Sequence, residues 1–380
     1  MRHSKRLVLG IAAAAATAAL ALSGCTATPS PTGSATSGAL TPVTLQLQWF
    51  AQAQFAGYYA ALDQGYFKDE GLDVKIVEGG VDIVPQTVLA DGQADYAIAW
   101  VPKALASREA GAGITDVAQI YQRSGTLQVS LKKSNITTTA GLKGKNVGNW
   151  GFGNEFELFA GMTKAGLNPA TDVKLVQQNF DESALLAGDI DAAQAMRYNE
   201  YAQILETVNP DTGVLYTPAD LNVIDWNADG TAMLQDAVWA NTDKLTSDAA
   251  YQDQTVKFLK AVIKGWIYAR DNPEGAAKIV LKYGPTLGAS HQLWQTNEVN
   301  KLVWPSPDGI GIINAGAWAQ TVDVALHAKN LEGSTVITAA PDSTAYTNEY
   351  IQKALDALKD LDTKGAGYKP IDVTLLAGGK

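Results

Sequence analysis

From residue 43 onward, short runs rich in apolar and β-branched residues alternate with longer runs whose apolar positions recur at helical spacing. This alternation predicts strands and helices in turn, the signature of parallel sheets covered by helices. Residues 43–49 read as a strand, 56–63 as a helix stopped by Gly65, and 72–77 as a strand with side chains pointing alternately in and out. Residues 83–89 read as a helix ending near Gly92, and 96–100 as a third strand. A second stretch follows the same logic, with strands at 145–150, 173–177 and 192–196 and helices at 155–165, closed by Gly166, and 183–187. Between the two, 129–139 reads as a strand running into the polar stretch Lys132-Lys133-Ser134-Asn135. Residues 223–226 end the second series and 233–239 carry the chain back. Beyond Ser247 helices dominate, for instance 253–270 and 348–360.

The segment Leu186-Ala187-Gly188-Asp189-Ile190-Asp191-Ala192 echoes Leu89-Ala90-Asp91-Gly92-Gln93-Ala94-Asp95-Tyr96-Ala97. Each places a glycine at a helix end, an aspartate three residues on, and then a strand, an arrangement that helix-to-strand turns favour in general. Its place in two parallel series argues for two similar α/β lobes, the first comprising 42–133 plus 231–380 and the second 134–230. A lobe that is interrupted by another and then resumes implies two chain crossings and a hinge. Clefts between such lobes are where ligands sit.

Residues 1–6 are basic, and 7–22 form an uninterrupted run of Leu, Val, Ile, Ala, Gly and Thr. That run is short for a spanning helix, which needs about 20 apolar residues, and it matches the apolar part of a secretory signal. Leu22-Ser23-Gly24-Cys25 follows at once and resembles the lipobox of bacterial lipoproteins. Residues 1–24 are therefore expected to be removed and Cys25 to be lipidated, which anchors the protein to the outer face of the cell membrane. Residues 26–41, made mostly of Thr, Ala, Pro, Ser and Gly, read as a tether.

Composition narrows the chemistry. With 46% apolar and 18% charged residues the chain is globular, and its net charge of −10 provides no cationic footprint for nucleic acid. A single Cys and three His rule out a disulfide framework and a CxxC pair, and leave little for a zinc site or a histidine-based triad. Gly151-Phe152-Gly153 begins like a dinucleotide fingerprint but has Phe156 where the third glycine belongs. No cofactor or metal is expected.

In open α/β sheets a ligand binds beyond the carboxyl ends of the strands. Trp49, Trp100, Trp150 and Trp226 lie at such ends, beside Gln52, Gln54, Gly151, Gly153, Asn154, Glu155, Arg197, Tyr198 and Asn199. Phe55, Tyr58 and Asp236 complete the candidate set. The arrangement suits a flat ligand stacked on indole faces, with amides and carboxylates reading its edge. Core packing is the competing account for each tryptophan, and dipole compensation at a helix start is an equally good account of Glu155. Trp239, Trp266, Trp294, Trp304 and Trp318 read as packing.

Residues 48–61, Gln-Trp-Phe-Ala-Gln-Ala-Gln-Phe-Ala-Gly-Tyr-Tyr-Ala-Ala, followed by Gly65-Tyr66-Phe67-Lys68-Asp69-Glu70-Gly71-Leu72-Asp73-Val74, resemble the opening of the substrate-binding lipoproteins related to thiamine pyrimidine synthase. Asn149 to Glu155 and Ala195 to Glu200 resemble the second-lobe cleft segments of that family. The resemblance implies a type II periplasmic-binding-protein fold with two Rossmann-like lobes, a monomer that presents a solute to an ABC permease and its ATPase. Relatives take thiamine pyrimidine precursors, riboflavin, or small sulfonates and nitrate. Aromatic strand ends favour the heterocycles, the pyrimidine first and riboflavin as the alternative. The eukaryotic synthases of the family carry a cysteine-rich iron-site segment, whereas the return segment 233–239 here has no cysteine.

Overall fold

The computed structural model describes residues 39–380; the expected leader, Cys25 and nearly all of the tether lie outside the described residues. Ten strands are present among them: β1 Thr41–Gln46, β2 Leu72–Val77, β3 Tyr96–Trp100, β4 Ile114–Gln119, β5 Thr126–Leu131, β6 Asn146–Asn149, β7 Lys174–Gln177, β8 Ala193–Met196, β9 Leu221–Asp225 and β10 Asp236–Asn241. The first sheet has the order β2-β1-β3-β10-β4. Its β1 pairs in parallel with β2 and β3, while β10 runs antiparallel to β3 and β4.

The second set repeats this plan. Strand β5 lies antiparallel between β8 and β9, and β6 pairs in parallel with β7. A bridge between Val147 and Ala192, with the Gly148 N–H donating to the Ala192 carbonyl at 2.7 Å, joins the two pieces in the running order β7-β6-β8-β5-β9. Each sheet thus receives one antiparallel strand that reaches it by crossing from the other. The parallel pattern is interrupted at these two strands, because a strand arriving from the opposite lobe enters from the far end.

The crossing segments run side by side and are tied by side-chain amides. Gln235 accepts from the Gly125 N–H at 2.7 Å and donates to Thr126 Oγ1 at 2.6 Å, while Asn227 exchanges hydrogen bonds with the Ser124 backbone. The result is a two-lobe α/β molecule with its crossings clamped together.

The aspartates of the repeated segment have one structural role in both lobes. Asp95 accepts from the Thr44 N–H of β1 and Asp191 from the Asn146 N–H of β6, each at 2.8 Å. The preceding Gly92 and Gly188 take the left-handed conformation, φ +72° and +81°, that ends the helices Pro85–Ala90 and Ser183–Ala187.

The largest apolar cluster lies under the first sheet, between the helices Ala56–Asp63 and Ala249–Asp271. Their backbones touch because both contact residues are glycine: a Cβ on Gly265 would stand 2.0 Å from the Gly57 carbonyl oxygen. Several boundaries differ from the sequence pattern. β1 stops at Gln46, so Trp49 falls in the bend that follows, and β5 stops at Leu131 before a 3-10 turn over Lys132–Ser134. The helix Val101–Glu109 and β4 were not legible; β4 is buried throughout although half its residues are polar, which breaks an apolar pattern.

Candidate functional site

The carboxyl ends of the strands open onto a cavity of about 650 Å³. Gln48, Trp49, Gln52, Gln54, Trp100 and Lys103 line it from the first lobe, and Trp150, Phe152, Gly153, Asn154, Phe180, Tyr198, Asn199 and Glu200 from the second. Residues 80–86 and 335–336 close the sides.

Trp100 ends β3 directly opposite Asp236, which starts β10. Its indole N–H donates to Asp236 Oδ1 at 2.7 Å, and the same carboxylate receives Gln48 at 2.5 Å and Gln54 at 2.9 Å. Gln54 in turn accepts from Gln52 at 2.9 Å, so a chain of amides lines this wall. Burial pushes the Asp236 carboxyl up to about 7, against the three hydrogen bonds and the Lys103 charge that favour its ionised form. Asp236 itself lies beneath the cavity surface and orients the groups that reach it.

On the other side, Trp150 follows β6 directly, its backbone N–H held by Gln194 at 3.0 Å. Phe180, three residues past β7, stands against both indoles: its centroid is 4.9 Å from Trp49 and 5.9 Å from Trp150, stacked on the latter at 23°. An aromatic wall of Trp49, Phe180 and Trp150 therefore spans the two lobes. Phe152 adds an exposed ring at the rim, 74% accessible, on a backbone with φ +55° between two left-handed glycines. A phenylalanine in that conformation is strained, and such strain collects at functional loops.

Asn199 and Glu200 extend inward from the loop after β8. Asn199 donates to Glu200 at 2.7 Å and its carbonyl oxygen meets His291 Nε2 at 3.0 Å, while His291 Nδ1 meets Glu206 at 2.7 Å. Burial raises the Glu200 carboxyl. Glu182 is raised well above its ordinary value, by burial and then by Glu200, and neither of its oxygens has a partner among the described residues.

Of the residues expected from sequence, Trp49, Gln54, Trp100, Trp150, Gly153, Asn154, Tyr198 and Asn199 line the cavity, with Asp236 behind them. Others are displaced from it. Phe55 is fully buried in the main core, and Tyr58 packs its edge on Trp266 at 5.7 Å. Gly151 turns the loop without lining the cavity. Glu155 precedes the helix Phe156–Lys164 and accepts from the Gly153 N–H at 3.0 Å, which holds the loop. Trp226 does not converge on the cleft: it starts a short helix and is fully buried beneath Gly161, where a Cβ would stand 2.5 Å from its ring. Arg197 pairs with Asp225 at 2.6 Å away from the cavity. The five tryptophans read as packing stay out of the lining. Sequence reasoning missed Gln48, Lys103, Phe152, Phe180 and Glu200 as lining residues; Phe180 follows a strand end and was accessible to the same rule that found Trp150.

Among the described residues no cluster of three or more His, Cys, Asp or Glu could hold a metal, and no helix is long and apolar enough to cross a membrane.

Comparison with known proteins agrees with this geometry. The crystal structure of the periplasmic aliphatic sulphonate binding protein SsuA from Escherichia coli superposes with a TM-score of 0.61 at 18% identity, covering 82% of this chain and 99% of that one. The fold is thus that of periplasmic binding proteins. A formylaminopyrimidine-binding protein of Halalkalibacterium halodurans is 25% identical over 248 residues, 64% of this chain and 71% of its own. The riboflavin-binding protein RibY of Chloroflexus aurantiacus is 24% identical over 344 residues, 86% of this chain and 90% of its own. A 4-amino-5-hydroxymethyl-2-methylpyrimidine phosphate synthase of Aspergillus parasiticus is 26% identical over 256 residues, 65% of this chain and 72% of its own. The model of the family described as NMT1/THI5 like matches residues 52–276, and the chain belongs to that family.

Proposed function

We propose that this chain is the solute-binding component of an ABC importer, held at the outer face of the membrane through a lipidated Cys25, and that it takes a small planar heterocycle, a thiamine pyrimidine precursor. The observation that carries the reading is the cavity shared by both lobes, walled by Trp49, Phe180 and Trp150 and edged by Gln48, Gln54, Asn154 and Asn199. Rings offer stacking faces and amides offer both donors and acceptors, which is the chemistry of an aminopyrimidine edge. Two lobes, the second of which takes in β5 (Thr126–Leu131) ahead of the expected boundary at 134, close on the solute as a monomer and present it to the permease and its ATPase. Closure is driven by contacts made only when both lobes touch the ligand.

Riboflavin is the second reading, favoured by a cavity of about 650 Å³, more room than one six-membered ring fills. Solute binding without turnover is proposed over pyrimidine synthesis because 233–239 carries no cysteine. Small sulfonates and nitrate fit an aromatic wall less well.

The test is a thermal-shift screen of the mature chain against 4-amino-5-hydroxymethyl-2-methylpyrimidine, its formylamino derivative, thiamine, riboflavin and taurine, with mass spectrometry of the incubated mixtures. Stabilisation by a pyrimidine with no new product supports the reading. Stabilisation by taurine alone, or formation of a product, contradicts it.

A further inference from the structure

Asn199 lines the cavity, and both ends of its amide are held from behind. Its nitrogen donates to Glu200 Oε1 at 2.7 Å, and its oxygen meets His291 Nε2 at 3.0 Å. An amide oxygen can only accept, so Nε2 carries the hydrogen between them. Glu200 is fixed in turn, its Oε2 accepting from the Met196 N–H at 2.9 Å. On the far side of the imidazole, Nδ1 stands 2.7 Å from Glu206 Oε1. All four side chains are buried. Gly379, at φ +73°, closes over the imidazole and Glu206 so tightly that a Cβ there would stand 2.9 Å from the His291 Cβ and 3.0 Å from Glu206 Oε2.

The helix that supplies His291, Ala289–Val303, also reaches the other wall. Its Gln292 accepts from the Ala53 N–H at 2.8 Å, in the turn that carries Gln54, and its Trp294 donates to the Arg197 carbonyl at 3.1 Å, beside Tyr198. One element thus holds lining segments of both lobes. The consequence for Asn199 is chemical as well as geometric. Turning an amide by 180° exchanges its donor and its acceptor, and the ties to Glu200 and His291 forbid that exchange. One N–H and one oxygen lone pair of Asn199 remain for the cavity, in a fixed order. A donor and an acceptor side by side on an asparagine read an amino group beside a ring nitrogen, as on adenine.

We propose that His291 is a positioning residue that sets the order of donor and acceptor on Asn199. It thereby selects a ring with an amino group beside an unprotonated ring nitrogen over the corresponding lactam, whose carbonyl and N–H take the opposite order. Glu206 holds the imidazole in place for that task. The inference rests on the heterocycle reading above and adds to it the residue that makes the edge specific.

The experiment measures, by calorimetry at pH 7, the dissociation constants of 4-amino-5-hydroxymethyl-2-methylpyrimidine and of its lactam counterpart, 5-hydroxymethyl-2-methylpyrimidin-4-one. Three forms of the mature chain are compared: unaltered, His291→Gln, and His291→Phe combined with Glu206→Leu. Glutamine keeps a nitrogen donor near the place of Nε2, while the combined variant removes both polar partners without orphaning a buried carboxylate. The unaltered chain should prefer the aminopyrimidine at least about tenfold, the discrimination of one paired contact. His291→Gln should keep most of that ratio, and in the combined variant it should fall to about one. Equal binding, or a preference for the lactam, in the unaltered chain overturns the positioning role and leaves the heterocycle reading standing. An undiminished ratio in the combined variant, or a ratio lost in His291→Gln as well, also overturns it. Whether or not the combined variant folds, nitrogen-edited NMR of the unaltered chain should show a hydrogen on His291 Nε2 that shifts when the aminopyrimidine is added. An Nε2 without that hydrogen overturns the proposal. Binding of neither compound to the unaltered chain overturns both readings.

Discussion

Trp100 and Asp236 face each other at the mouths of β3 and β10, and the indole N–H reaches the carboxylate at 2.7 Å. One end of each strand thus supplies a ring for the cavity and the anchor that fixes it. The pairing depends on β10 returning antiparallel from the other lobe, since only then does its first residue meet the last residue of β3.

Burial of this carboxyl makes stability depend on pH. Folding raises the Asp236 carboxyl from its ordinary 3.8 to about 7, chiefly by burial. The protonated form suits the folded state, so its contribution is complete below about pH 4 and is lost as pH rises through 7. Glu157, buried and also raised to about 7, acts in the same direction. The unfolding free energy of the ligand-free chain should fall between about pH 4 and pH 7, by at most roughly 4 kcal/mol per group. Denaturant melts of Asp236→Asn should show a shallower fall; an unchanged slope would remove Asp236 as a source.

The aromatic wall yields a coupling prediction. Trp49 and Phe180 come from different lobes and meet at 4.9 Å. A double-mutant cycle of Trp49→Ala and Phe180→Ala on unfolding should give a coupling of about 0.5–1.5 kcal/mol. A coupling of zero would mean that the rings touch without holding the lobes together.

Asp95 and Asp191 should behave alike. Each accepts a backbone N–H of a neighbouring parallel strand, β1 or β6, at 2.8 Å. Asp95→Ala and Asp191→Ala should each cost about 1–2 kcal/mol of stability and leave pyrimidine affinity within twofold. A selective loss of affinity in either variant would give that aspartate a role at the cavity instead.

These elements also show what was legible beforehand. The Gly-x-x-Asp echo was readable because one backbone device is needed wherever a helix returns to a parallel strand, and the structure uses it identically in both lobes. Trp49, Trp100 and Trp150 were readable from the rule that strand ends face the ligand. Trp226 satisfied the same rule on paper. β9 ends at Asp225, whose carboxylate caps the helix Trp226–Asp229, and that turn sends the indole into the interior. Tyr58 failed because its helix packs on Ala249–Asp271 at the Gly57–Gly265 contact, and Phe55 because the 3-10 turn Ala53–Phe55 that carries it lies against the helix Ala289–Val303; no local pattern reveals either. Lys103 escaped because the helix that carries it was not recognised.

The lipid anchor has its own check. Cys25→Ser should move the protein from the membrane fraction to the soluble fraction without altering the melting temperature of the folded body. Retention of the variant in membranes would remove lipidation at Cys25 as the anchor.

The most direct measurement is the affinity of the mature chain for 4-amino-5-hydroxymethyl-2-methylpyrimidine, titrated by calorimetry alongside Trp49→Ala and Trp150→Ala. One saturable site per chain is expected, weakened at least about tenfold by either substitution, since each removes a stacking face contributed by a different lobe. Trp49→Ala should lose at least the stability of its contact with Phe180, and Trp150→Ala, at only 3% exposure, should lose more. Full-strength binding in both variants would contradict a solute gripped between the two lobes.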